Sequence, residues 1–410
     1  MRRSDRIAIS GIGVVGPGFG NVAEMDTFLS QGRTACRSIE RFSTECFKSR
    51  YAFQVAETDV ASDSDILDVR LPRLAIYGRQ ALVEALQRAC LNPAIDLREC
   101  VLVFGTAVAG SWEMESAYGS LAKFSTASIS RIGAGDAVSF SNPARSVFRE
   151  ISNREPVIVS TGCTAGLDAL GYALEVVRDG ANCAIVVAAE APITPMVLAC
   201  FEQIGALTKE VRQQQLASRP FSPDRSGFCL GEGAACVVLE RQDRVAARRV
   251  KPLAFMRGFA SCSSAYHMTA IHESGKSILA SLNAAIADAT VDSSQIDLIS
   301  PHATSTPQND RAEHSALQAL FGSRLSRLPV FAGKASFGHA LGASNLIETV
   351  AVIRMLSEGK VFPYPNRYLS RIEFDDIFLP DQIFNKRIRF AIKNSSGFSG
   401  IHSAAIFESS

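Results

Sequence analysis

No apolar run in this chain approaches the roughly 20 residues that a membrane-spanning helix needs; the longest, such as Ala184–Ala189, stop after a few residues. No helical membrane span is expected. The basic start, MRRSDRIAIS, leads only into a short strand-like run before glycines, which makes a poor signal peptide. An excess of one charge is also missing. Lys and Arg number 42 against 41 Asp and Glu, a net charge of +1. With no long like-charge run, neither a nucleic-acid partner nor a polybasic membrane anchor is expected. The ten cysteines show no CxxC and no repeated spacing, so neither a zinc site nor a disulfide framework is suggested, and a reducing cytoplasm fits. There is one tryptophan, and there are only six histidines. What the chain has in quantity is core: 47% of its 410 residues are hydrophobic, enough for one large or two medium domains.

The stretch Val157 to Gly180, VIVSTGCTAGLDALGYALEVVRDG, organises the rest. A short apolar run ends at Ser160. A tight turn holds Cys163 between Gly162 and Thr164. A helical pattern follows, with Leu167, Leu170, Leu174 and Val177 on one face and Gly180 as its stop. Cys163 is therefore expected at a helix N-terminus directly after a buried strand. The partial positive charge there favours a thiolate, and the free N–H groups can hold the oxyanion of a thioester under attack. Most cysteines are small buried hydrophobes. No comparable context surrounds Cys36, Cys46, Cys90, Cys100, Cys183, Cys200, Cys229, Cys236 or Cys262.

In chain order, Ile7–Ser10 reads as a first strand leading into GIGVVGPGFG. Gly11, Gly13 and Gly16 have the GxGxxG spacing of a dinucleotide site, but Pro17, Gly18 and Gly20 would break the helix it demands. A glycine-rich turn is the reading instead. Leu74–Ala89 reads as a helix and Val101–Phe104 as a buried strand. The stretch Ser111–Gly135 resists assignment. Strands follow at Cys183–Ala189 and Ala234–Leu239, with Arg241–Lys251 as a charged connector. In the second half Val330–Ala332 reads as a strand, followed by a polar turn. A helix then runs over Ala343–Glu358 to a stop at Gly359. The sequence of strand, turn with a reactive residue, and helix thus occurs in both halves. A duplicated α/β architecture with mostly parallel sheets is expected.

His302 lies in LISPHATSTPQND and His339 in GKASFGHALGAS, each in a turn after a strand-like run. Each alone reads first as a structural histidine. With an activated cysteine they make an acyl-transfer constellation. STGCTAG around Cys163, HATSTPQND after His302, and KASFGHALGA with Lys334 and His339 resemble the signature set of the β-ketoacyl synthases. So do RPFSPDRSGFCLGEGAA (Arg219–Ala235), AYHMT (Ala265–Thr269) and GFSG (Gly397–Gly400). The resemblance runs from Ile7 to near the C-terminus, in the family's order. Within the family it is greatest to the catalytic ketosynthase subunit of bacterial type II polyketide synthases.

This resemblance implies a thiolase-like fold: two similar halves, residues 1–245 with the cysteine and 246–410 with both histidines, in five layers α/β/α/β/α around two mixed sheets. It implies a decarboxylating Claisen condensation. Cys163 holds the growing chain as a thioester, and malonyl arrives on the phosphopantetheine arm of an acyl carrier protein. No metal or further cofactor is required. His302 and His339 would stabilise the enolate, and the N–H groups of Cys163 and Phe398 the tetrahedral oxyanion. Lys334 and Glu348 would orient the second histidine, His339, and tune the field. Asp310 and Glu313 would support the loop after His302. Thr304 and Thr306 would bind the pantetheine arm, Phe398 would be a gate, Phe201 would line the same pocket or belong to the core, and Val108 would line an acyl tunnel. A carrier protein is acidic, so its docking surface should be basic, with Arg70 and Arg73 as candidates.

Five positions depart from the family pattern: Ala303 and Ser399 for glycines, Ser344 and Asn345 for alanine and glycine near the start of the second helix, and Ser222 for an acidic residue in the RPF loop. Glycine replacements are tolerable unless φ is positive. The partner expected is a homologous chain-length factor in a heterodimer, or otherwise a second copy. Two other functions stay open: a homodimeric fatty-acid elongating synthase, and a non-catalytic scaffold that shapes a partner's tunnel. A thiolase would need a second cysteine beyond Cys262, the last one here. An acyl-CoA-priming synthase would have Asn in place of His339, and a cysteine protease would share only the Cys/His pair.

Overall fold

A computed structural model describes residues 6–56, 71–92, 97, 100–121, 139–152, 154–365, 367, 369 and 371–410. Nine strands form its main sheet: β1 (Ile7–Val15), β4 (Val101–Gly105), β5 (Val157–Val159), β6 (Cys183–Glu190), β7 (Gly233–Arg241), β8 (Ala254–Ser263), β9 (Ile296–Ser300), β12 (Phe390–Ser396) and β13 (Ile401–Ser409). Two small ribbons pair β2 (Arg37–Ser38) with β3 (Tyr51–Ala52), and β10 (Lys360–Val361) with β11 (Phe384–Asn385). The order across the main sheet is β5-β4-β6-β7-β1-β8-β13-β12-β9. First-half strands occupy one side and second-half strands the other. Among the described residues they join only through β1 and β8, where Ile7, Ala8 and Ile9 face Met256, Phe255 and Ala254.

Two helices fill the space between the half-sheets. Ala165–Arg178 buries Leu167, Leu170, Leu174 and Val177, the face expected from their spacing. Leu341–Glu358 is buried along nearly its whole length, from Leu341 to Leu356. Both touch strands of both halves, and they share one apolar cluster with β1, β6, β7 and β8. A helix hydrophobic all round can only sit inside a protein, and this one does. Arg73–Arg88 and Ser141–Phe148 cover the outer face of the first half, and Lys276–Asp288 and Pro307–Phe321 that of the second. The result is the expected layering, but the two expected sheets are joined edge to edge through β1 and β8 into one nine-stranded sheet.

The expectation of mostly parallel pairing is corrected. Among the described residues, β4–β5, β4–β6 and β9–β12 are parallel. The pairs β6–β7, β1–β7, β1–β8, β8–β13 and β12–β13 are antiparallel. Helical crossovers give the parallel pairs, whereas β12 and β13 are joined by a tight turn, which reverses the chain. Gly11 and Gly13 are also not in a turn. They lie inside β1, where a methyl group on either would overlap the carbonyl of Ala85 or Ala81. Their role is close approach of the helix Arg73–Arg88 to the strand. Val330–Ala332 makes only a single bridge, Ile299 to Val330, before a one-turn helix Lys334–Phe337. Finally, Cys100 and Cys183 form a disulfide, with Cα atoms 4.8 Å apart. They directly precede the registered pair Val101 and Ala184 on adjacent parallel strands, a proximity that spacing along the chain does not reveal. Of the Ser111–Gly135 stretch, residues 111–121 form a helix and the remainder lies outside the described residues, as does Arg70.

Candidate active site

Cys163 occupies a 3-10 turn, Gly162–Thr164, between β5 and the helix Ala165–Arg178. Gly162 has φ +66° with open space around it, so the turn requires backbone freedom at this point. The cysteine is 9% exposed and packs among Val197, Leu198, Phe228 and Leu341. The expected thiolate is not the resting state. Burial pushes the Cys163 thiol up to about 12, and the nearby Glu190 carboxyl adds to it. The Lys334 charge and the N–H groups of Cys163 and Phe398 pull the other way without prevailing. The helix N-terminus supplies donors, but desolvation of the anion is larger. Since both N–H groups lower the thiol's pKa, they lie beside the sulfur, where the oxygen of a thioester under attack would come. Glu190, fully buried and itself raised to about 8 by burial, went unnoticed in the sequence.

His302 follows β9 and is fixed from behind. Its N–H and that of Ala303 donate to Glu313 at 2.6 and 2.8 Å, and Asn394 donates to the same carboxyl at 2.7 Å. Burial raises Glu313 to about 7, with the Asp310 charge adding to it. Asp310 accepts from the Phe221 N–H at 2.9 Å and pairs with Arg225 at 3.3 Å. Burial raises its pKa even so. The two carboxyls thus brace the loop from Ala303 to Thr306. In it Ala303 and Ser305 adopt φ of +47° and +68°.

Lys334 donates to the carbonyl of His302 at 2.7 Å and to Glu348 at 2.8 Å. It therefore grips the backbone of His302, a correction to the expected orienting of His339, on which Lys334 acts through its charge. A second lysine, Lys393, reaches Glu348 from β12 at 2.8 Å. All three are fully buried. Lys393 was missed in the sequence; its one cue is a lone cation inside the apolar run FAIKN.

His339 hangs in the turn between the short helix Lys334–Phe337 and Leu341–Glu358, with its N–H on the Cys229 carbonyl at 2.9 Å. Its ring stands edge-on to Phe228 and to His302, with centroids 5.1 and 5.3 Å away. Burial, then Lys334, holds both histidines far below the ordinary imidazole range, so both are neutral. A bridge also links nucleophile and histidine: the Cys163 carbonyl accepts from Asn345 at 2.5 Å and from Ser395 at 3.2 Å, and Ser395 lies 3.4 Å from His302 Nδ1.

Cys163, His302 and His339 converge on one cavity of about 270 Å³. Thr304, Thr306 and Phe398 line it as well, the two threonine hydroxyls 2.9 Å apart. Phe201 and Val108 do not line it. They border a neighbouring apolar cavity of about 340 Å³ with Met114, Met196 and Phe140. Phe201 stands against Phe228 and Phe398, at 5.2 and 6.2 Å, and so forms the partition between the two spaces. The GFSG turn carries its departure under strain, since Ser399 has φ +68°. Arg73 stacks on Trp112 at 5.6 Å.

A buried thiol facing two N–H groups and two neutral imidazoles is suited to thioester chemistry in which charge develops on oxygen. Residues 4–244 match the family model for the β-ketoacyl synthase N-terminal domain, and residues 253–367 that for its C-terminal domain. The chain belongs to the β-ketoacyl synthase family. As a β-ketoacyl synthase it is an acyltransferase-class enzyme. The synthase is 34% identical to the tetracenomycin polyketide synthase ketoacyl synthase alpha subunit of Streptomyces glaucescens, over 98% of this chain and 96% of that one. It superimposes with a TM-score of 0.90, at 32% identity and 99% coverage of each chain, on a structure of a type II polyketide synthase acyl-carrier protein in complex with its ketosynthase bound to the hexaketide. On the ishigamide ketosynthase/chain length factor the TM-score is 0.86, at 28% identity and 99% coverage of each chain. Among the described residues of the synthase no helix is long and apolar enough to cross a membrane.

Proposed function

We propose that this chain is the catalytic ketosynthase subunit of a type II polyketide synthase, and that it extends an acyl chain on Cys163 with malonyl carried by an acyl carrier protein. The convergence of Cys163, His302 and His339 on a single cavity carries the reading. In the first step the thiol of Cys163 attacks the acyl thioester. The tetrahedral oxyanion meets the N–H groups of Cys163 and Phe398, and the pantetheine thiol leaves with the proton. Burial holds Cys163 as a thiol, so its proton passes to the departing pantetheine sulfur. In the second step malonyl loses CO2. The electron pair forms an enolate whose oxygen accepts N–H bonds from the two imidazoles. The resulting carbanion attacks the acyl-Cys163 carbonyl, the carbon–sulfur bond breaks, and the cysteine sulfur departs as a thiolate that takes a proton from water to regain the thiol. Neutral histidines suit this role, since they offer an N–H without giving up a proton.

Thr304 and Thr306, at the mouth of the cavity and the start of the helix Pro307–Phe321, are the proposed contacts of the pantetheine arm, and Phe398 the gate. The apolar cavity behind Phe201, with Val108, is the proposed space for the growing chain. No cofactor beyond the carrier's phosphopantetheine is assigned. Similarity to a ketosynthase solved with its acyl-carrier protein supports the carrier as partner. The ketosynthase/chain length factor likeness supports a homologous second subunit. The proposed division at residues 245/246 lies in the chain between β7, the last strand of the first side, and β8, the first of the second, within the short helix Gln242–Ala247. The proposed compartment is the cytoplasm, which suits the eight free cysteines; the one disulfide, Cys100–Cys183, runs against a reducing compartment.

The test is mass spectrometry of carrier-bound products, with malonyl-carrier protein given to the chain alone and with a co-encoded homologous subunit, beside Cys163→Ala. Multi-ketide products that need the partner and vanish in Cys163→Ala are expected. Condensation by the chain alone on saturated acyl-carriers would make it a fatty-acid elongating enzyme instead. No condensation and no acylation of Cys163 would overturn the catalytic reading.

A further inference from the structure

A neutral imidazole has one N–H, and His339 serves the reaction only if that N–H faces the cavity. Ser344 is in the first turn of the helix Leu341–Glu358 and fully buried, with Oγ 3.0 Å from His339 Nδ1. Among the described residues this is its sole hydrogen bond. Two arrangements are available. If Nδ1–H donated to the hydroxyl, the proton of the fully buried serine would be left without an acceptor, which buried groups avoid. If the hydroxyl donates to Nδ1, both groups are satisfied and the ring proton is confined to Nε2. The backbone of His339 is already fixed on both sides: its N–H donates to Cys229, and its carbonyl accepts from Gly231 at 2.9 Å. The hydroxyl therefore acts on the ring alone. The neutral state on which the choice depends is secured by burial and by Lys334 and Lys393.

We propose that Ser344 is a positioning residue that fixes His339 as the Nε2–H tautomer, so that a proton rather than a lone pair meets the malonyl thioester oxygen. This rests on the donor role given to His339 above. It assigns a purpose to a serine that departs from the family pattern, and it places one determinant of the decarboxylation step on the buried helix rather than on a loop.

The test uses the full chain with isotopically labelled histidine. A long-range nitrogen–proton spectrum, with His339 assigned by its loss in His339→Gln, reads the tautomer directly. A bare Nδ1 and a protonated Nε2 are expected, giving way to a mixture of tautomers in Ser344→Ala. In Ser344→Ala, CO2 release from malonyl-carrier protein should fall about five-fold, the worth of one hydrogen bond of this kind. Acylation of Cys163 should keep its rate, and Ser344→Thr should restore decarboxylation. A proton on Nδ1 in the unsubstituted chain overturns the proposal, and that measurement stands even if Ser344→Ala fails to fold. Unchanged CO2 release by folded Ser344→Ala also overturns it. If His339→Gln itself releases CO2 at the original rate, the donor role of His339 falls, and this proposal with it.

Discussion

Replacing Lys393 with methionine should make the protein more stable. Two buried lysines share one carboxylate: Lys334 and Lys393 each reach Glu348 at 2.8 Å. Burial lowers Lys393 from 10.5 to about 8, with Glu348 opposing that effect and Lys334 adding to it. At about 1.36 kcal/mol per pKa unit, holding this charge at pH 7 costs on the order of 3 kcal/mol relative to the unfolded chain. Methionine is similar in length and carries no charge. It gives up a hydrogen bond to the Asn394 carbonyl at 2.7 Å and leaves Glu348 paired with Lys334. Replacement of buried ionic groups by packed apolar ones is often neutral or stabilising by roughly 1–4 kcal/mol. A gain of about 1–3 kcal/mol is therefore expected in urea unfolding at pH 7. The pH dependence supplies the second reading. Between pH 8 and 10.5 the unfolded chain holds a proton that the folded chain releases, so stability should rise with pH across that window. Lys393→Met should flatten the rise. It should also let His302 and His339 take up protons at higher pH, because the Lys393 charge helps hold both down. The acidic limb of the condensation rate should then move upward. A loss of more than about 3 kcal/mol at pH 7, the size expected for breaking a needed buried pair, would refute the reasoning.

Two further substitutions probe the loops. Glu313→Ala strands the N–H groups of His302 and Ala303 and the Asn394 amide. It should cost about 3 kcal/mol in denaturant unfolding, and it should slow CO2 release while Cys163 still acylates, as read by intact-protein mass spectrometry. Ser399→Gly relieves a left-handed residue at φ +68° and should stabilise by about 0.5–1 kcal/mol in the same assay. A clear loss there would mean that the serine holds the turn through contacts stronger than its strain.

Cys163 was legible because the hydrophobic period changes from strand to helix across it, and both flanks of that change are local. His302 and His339 were legible through motif resemblance, and the structure places both beside the cysteine. What stayed hidden depends on register or on distance through space. Nothing in the spacing says that Lys334 crosses to the carbonyl of His302, or that Lys393 joins it on Glu348. Cys100 and Cys183 meet because two parallel strands align one residue beyond them. Gly11 and Gly13 read as a turn because glycine looks the same whether it frees the backbone or lets a helix approach. Phe201 was expected at the pocket or in the core and Val108 along an acyl tunnel; that both border a second cavity, behind an aromatic partition, is a property of packing. The thiolate expectation failed for a related reason: the helix N-terminus is visible in sequence, whereas the desolvation that outweighs it is not.

The bond from Asn345 to the Cys163 carbonyl spans 182 positions of the chain, and that from Ser395 spans 232. On the ribosome the nucleophile turn therefore emerges well before the residues that hold it. At about 5–20 residues per second, the stretch up to Ser395 takes roughly 10–50 s to follow. During that interval the helix Ala165–Arg178 lacks the second sheet that will cover it, and Cys163 lacks its imidazoles. The nascent first half should be a client for chaperones and chemically silent, and activity should arrive all at once when the last hairpin, β12–β13, closes over the cysteine.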